Sequence, residues 1–107
     1  MLYELRIYET VPGRMAALHK RFATITSKFF EKHGITVVGY WTDVIGRNDR
    51  LTYLVQWESL AERERKWTAF ATDPDWIAAR NATEQSGQIV ARVVNTMLQP
   101  TPYSPMQ

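Results

Sequence analysis

The chain has 107 residues, 45% hydrophobic and 22% charged, a balance that suits one globular domain over residues 1–107 with one core. The absence of cysteine excludes disulfides, thiol nucleophiles and thiolate metal sites together. A net charge of +2 comes from 13 basic and 11 acidic residues with no basic cluster free of acids, and no apolar run approaches the roughly 18 residues of a membrane span, so neither nucleic acid nor a membrane span is expected.

LYELRIYE alternates as a strand from about Leu2 to Glu9, with Leu5 and Ile7 on one face and Glu4, Arg6 and Tyr8 on the other. Glu4 and Arg6 stand where a secretory signal would need an unbroken apolar centre, so the expected location is the cytoplasm. After the turn at VPG, Met15, Leu18, Phe22, Ile25 and Phe29 recur three and four apart, which predicts one helix from Arg14 to Lys32. His33 falls in its last turn, where the helix dipole favours it, and Gly34 supplies a left-handed cap.

ITVVGYWTDVIG and LTYLVQWE are rich in β-branched and aromatic residues and form a predicted hairpin over 35–58, with RNDR as its turn. SLAE is a capping box: the Ser59 hydroxyl and the Glu62 carboxylate satisfy the first amides of a helix. DPDW then restarts a helix with Asp73 as N-cap and Pro74 in the first helical position. That helix fades near residues 82–84, QIVARVVNTML is the fourth strand, and QPTPYSPMQ is a proline-rich tail.

The order β-α-β-β-α-β, with the second helix broken in two, predicts an α+β, ferredoxin-like domain: a four-stranded antiparallel sheet with its helices on one face. The uncovered face should then turn polar, yet apolar positions exceed what one face can use. Leu5, Ile7, Val55, Trp57, Ile89 and Val93 are assigned to one face, and Tyr8, Val38, Tyr40, Leu54, Val90 and Val94 to the other. Each aliphatic side chain buried there would contribute on the order of 1.5–3 kcal/mol, so a homodimer through the sheet face is expected.

YELRIYE, PG before a long helix, HG before VVGYW, WESLAER, DPDW and the MLQPTPYSP tail occur in one order over nearly the whole chain. Together they resemble the NIPSNAP family. The resemblance implies a dimeric α/β barrel, two ferredoxin-like subunits with their sheets packed together, and a single-domain bacterial relative. It supplies no settled activity.

Two functional readings stand open. The leading one is a dimeric binding or interaction module; the other is a metal-free small-molecule oxygenase or isomerase using a cavity between sheet and helices. The candidate ligand-binding residues are Arg6, Tyr8, Trp41, Trp57, Trp67 and Trp76: a cation, a phenol and four tryptophans that could receive a small apolar or aromatic ligand. Against the ligand reading of Arg6 stands an ion pair with Glu4 at the subunit interface that fixes dimer register. Against that of the tryptophans stands plain core packing. ERERK reads as a solvated helix face. No cofactor is expected. Haem needs an axial ligand, the haem-degrading relatives by fold take theirs from the second helical region, and residues 59–84 hold no histidine. No nucleophile elbow, phosphate loop or metal-ligand cluster is present.

Overall fold

The computed structural model describes all 107 residues, Met1–Gln107. Four strands, β1 (Leu2–Thr10), β2 (Thr36–Thr42), β3 (Arg50–Trp57) and β4 (Val90–Leu98), form one antiparallel sheet in the order β2-β3-β1-β4. Between β1 and β2 run α1 (Met15–Arg21), a π-helical turn (Phe22–Thr26) and α2 (Ser27–Lys32), joined end to end. Between β3 and β4 come α3 (Leu60–Ala71) and α4 (Pro74–Thr83), the broken second helix. This is the ferredoxin-like arrangement.

The caps behave as their residues require. Gly34 closes α2 at φ 68°, where a side chain would be strained. Ser59 accepts from the Glu62 amide, while the Glu62 carboxylate reaches one residue further back than a capping box requires, to the Glu58 amide. Asp73 caps α4 through the Asp75 amide. Its carboxylate also takes Lys32 at 2.7 Å and His33 at 2.8 Å, which ties the end of α2 to the start of α4.

The hairpin is shorter than predicted. β2 stops at Thr42, and residues 43–49 form a loop held by Asp43, Arg47 and Arg50 rather than by RNDR alone. Val44 and Ile45, expected in the strand, are almost fully exposed there.

The core lies on the helix side. Leu51, Tyr53, Val55 and Trp57 from β3 meet Leu18, Phe22, Phe30, Phe70 and Trp76 from the helices. Register places Glu4, Arg6 and Tyr8 of β1 on this same side, opposite Val55, Tyr53 and Leu51. Two expectations are corrected by it. Tyr8 and Tyr40 face the helices, and so does Val90, which pairs with Thr10; Leu5 and Ile7 point the other way and pair with Leu54 and Thr52. The Glu4–Arg6 pair is likewise a helix-side feature and not an interface contact. The alternation misleads because the polar face of β1 is the one turned inward.

On the outer face, register aligns Leu5, Ile7, Leu54, Trp41, Val94 and Leu98. Trp41, Val94 and Leu98 are each more than two-fifths exposed. The Trp41 ring lies over Gly39, where an added Cβ would sit 2.8 Å from it. The segment after β4 turns back over one end of this face, and Tyr3 donates to the Gln107 carbonyl oxygen at 2.7 Å.

Candidate functional site

A buried carboxylate organises the floor of the site. Glu4 is fully buried and accepts five hydrogen bonds: one from Arg6, two from Arg63, one from Trp57 and one from Asn95. Burial pushes its pKa up, but the bonds from Arg63, Asn95 and Arg6 outweigh that and hold it at about 2. Arg6 spreads its guanidinium over three partners: Tyr53 at 2.8 Å, Glu4 at 2.8 Å and Tyr8 at 3.3 Å. Its cation also sits 4.1 Å from the centroid of the Trp67 ring. Tyr53 donates in turn to Tyr8 at 3.0 Å. The Tyr8 oxygen thus accepts twice, and its own hydroxyl hydrogen is left for the space above. Burial keeps the Tyr53 phenol protonated well beyond its usual range.

Above this floor lies a cavity of about 550 Å³, within the range of roughly 300–1,000 Å³ usual for small-molecule sites. β1 and β4 form its base, and the π-helical turn, α3 and α4 its walls. Arg6, Tyr8, Trp67 and Trp76 all line it. Trp57 lies in the core, donating to Glu4, and does not reach the cavity. Trp41 stands on the outer face of the sheet, because the bulge between Val37 and Gly39 sets Trp41 opposite Thr52. The six candidates therefore divide into four around one space, one supporting residue and one elsewhere.

Sequence reasoning passed over Arg21, Thr26, Phe70, Arg80 and Glu84, which also line the cavity. Arg21 carried a signal: it sits beside Leu18 and Phe22 on the apolar stripe, an odd place for a cation. Thr26 carried none. At about 100° per residue an α-helix would bring Ile25 and Phe29 inward; the π-helical turn holds back the drift, and Leu18, Phe22, Thr26 and Phe30 are buried instead. Such insertions are frequent at functional sites.

Neither histidine enters this cavity. His33 is bound to Asp73, and His19 lines a smaller space of about 230 Å³ beside Tyr40 and Leu51. No three His, Cys, Asp or Glu side chains converge to hold a metal ion. The cavity offers a haem no axial histidine, and the one lining side chain of a type that ligates haem iron, Tyr8, already accepts from Arg6 and Tyr53, so the lining does not suit haem.

Fold and site together define a ferredoxin-like domain with an aromatic, arginine-bearing cavity under its helices. The NIPSNAP family model matches residues 3–105, and the chain belongs to that family. Its fold is that of a NIPSNAP family protein of unknown function from Agrobacterium tumefaciens, 22% identical over 100% of this chain and 94% of that one, TM-score 0.85. A second family member from the same organism is 23% identical over 99% and 98% of the two chains, TM-score 0.86. An uncharacterised NIPSNAP-like domain protein from Burkholderia xenovorans is 23% identical over 97% and 88%, TM-score 0.84. A mutant of MhuD bearing two manganese protoporphyrins per active site is more distant, 19% identical over 94% of each chain, TM-score 0.60. No curated protein matches the chain. No helix is long and apolar enough to cross a membrane.

Proposed function

We propose that this chain is a homodimeric small-molecule binding protein whose ligand enters the cavity between sheet and helices. One observation carries the reading: a 550 Å³ space with aromatic walls stands over a floor of buried, mutually hydrogen-bonded polar groups. A core that needed only stability could do without the whole network of Glu4, Arg6, Arg63 and Asn95, since replacing a complete buried ionic group by apolar residues is often neutral or stabilising. Dimerisation is supported by the apolar outer face, where Leu5, Ile7, Trp41 and Val94 lack any covering element of the same chain. Packing two such faces together gives the α/β barrel.

A second reading draws on Tyr8. Its free hydroxyl hydrogen and the adjacent Arg6 cation could serve a metal-free isomerase or oxygenase as proton donor and anion stabiliser. Tyr8→Phe separates the two. A binding module loses one hydrogen bond and up to about ten-fold in affinity, whereas proton transfer would be abolished.

Ligand-detected NMR with phenol and benzamide as neutral probes tests the binding reading. Saturable signals are expected for the wild type. Val93→Trp, which fills the cavity from a half-exposed position on β4, should remove them without loss of melting temperature. Equal signals in both proteins would place binding outside this cavity.

A further inference from the structure

Two buried polar atoms belong to residues of the cavity wall. Arg21 Nε and Thr26 Oγ1 are buried and have no hydrogen-bond partner. The omission is specific, because nearby hydroxyls on the same helix look after themselves: Thr24 donates to the Lys20 carbonyl at 2.7 Å and Ser27 to the Ala23 carbonyl at 3.3 Å. Arg21 is only 5% exposed and Thr26 only 3%. One end of the guanidinium is engaged, Nη1 bonding Glu84 at 3.1 Å and Thr83 at 3.4 Å, so the residue is anchored while Nε stays free. Leaving such donors unmet in a folded protein calls for a partner. The π-helical turn runs from Phe22, just after Arg21, to Thr26, and it brings both to the wall.

The charge around them has one sign in excess. Arg6, Arg21 and Arg80 line the cavity against a single acid, Glu84. Glu84 is itself paired to Arg21, and no ion pair forms at Arg80. Phe22, Trp67, Phe70 and Trp76 add flat apolar surface to the walls.

Resting on the binding function proposed above, we infer that the ligand is a carboxylic acid with an aromatic-sized apolar body. Neither Arg21 Nε nor Thr26 Oγ1 has appreciable accessible surface, so the Arg21 and Thr26 side chains turn to meet the ligand's carboxylate, and its body lies among Phe22, Trp67 and Trp76. Arg21 Nε–H can only donate and suits a carboxylate oxygen, whereas the Thr26 hydroxyl donates or accepts, so the discrimination between acid and amide rests on the arginine charge. The surplus arginine charge favours the ionised acid over its neutral relatives.

The test is titration of the wild type and three variants with benzoate and phenylacetate, each against its amide, by calorimetry and by emission of Trp67 and Trp76. The acids should bind at least ten-fold tighter than the amides. Arg21→Met should abolish that preference, Thr26→Val should weaken acid binding several-fold, and Thr26→Ser should retain it. Melting temperatures of the variants report separately whether each is folded. Acids and amides bound equally well, with Thr26→Val indifferent, would overturn the carboxylate assignment while leaving a cavity that binds neutral aromatics; an internal water would then be what Arg21 and Thr26 hold. No binding of acid or amide would remove the assignment and the cavity function together.

Discussion

Glu4 is the residue on which the helix side of the sheet depends. Four side chains donate to it, and only one belongs to its own strand. Glu4→Gln strands two guanidinium groups in a buried place, and breaking a buried pair of this kind costs roughly 3–5 kcal/mol. At about 4 °C or more per kcal/mol for a domain of this size, a fall of more than 10 °C in calorimetric melting temperature is expected. Replacing the pair as Glu4→Leu with Arg6→Met should not restore the lost stability, because Arg63, Trp57 and Asn95 would still lack their acceptor. Full recovery in that double variant would reduce the network to a simple pair. The carboxylate also sets an acid response. Its folded pKa of about 2 lies below the ordinary 4.5, so its contribution is complete above pH 4.5 and is lost as pH falls toward 2. That contribution is on the order of 3 kcal/mol. Denaturant unfolding followed between pH 6 and pH 2 should show this decline, and Glu4→Gln should flatten it.

Among the elements, the junction of α2 with α4 is held by one side chain. Asp73 caps α4 and receives Lys32 and His33, and those two bonds hold its carboxyl well below the usual range. Asp73→Ala removes cap and tie together and should cost about 1–2 kcal/mol in urea unfolding. Asp73→Ser keeps the cap and loses only the tie, so it should fall between the two. An alanine variant as stable as wild type would mean that α4 is placed by Trp76 packing alone. The elements themselves were legible in the sequence because their signals are local: the 3-and-4 spacing, Gly34, Ser59, and Asp73 with Pro74. Two things were not legible. An inserted π-helical turn leaves no residue signature, so Thr26 could not be seen to turn inward. The inward face of β1 was hidden because Glu4 and Arg6 read as an ion pair on the sheet face away from the helices, and only partners distant in sequence, Arg63 and Asn95, allow them to be buried under the helices. Arg6 and Tyr8 on the sheet and Trp67 and Trp76 on the helices over it border one cavity, and the sequence marked them only as large side chains on those elements. Trp41 was misplaced by a bulge that shifts register by one residue.

At the scale of the molecule, the two faces of the sheet divide their tasks. The helix side gives up apolar area to a polar floor and a cavity, and the outer side carries the aliphatic residues that the central strand would ordinarily bury. Leu5, Ile7, Trp41, Leu54 and Val94 form a surface of the kind that marks an interface. The segment over 99–107 shields only the end near Tyr3 and Leu98. In the proposed homodimer a second copy seated on the open part would bury these side chains and close the barrel; a charge in its middle, as in Val94→Asp, should then drive the copies apart and leave the aromatic-probe signals expected of the helix-side cavity unchanged. The most direct measurement is the molar mass of the wild-type protein in solution, by light scattering at micromolar concentration. A value of about twice 12.4 kDa is expected; a stable species of 12.4 kDa would contradict the pairing of the sheets and leave the outward-facing Leu5, Ile7 and Val94 without a partner.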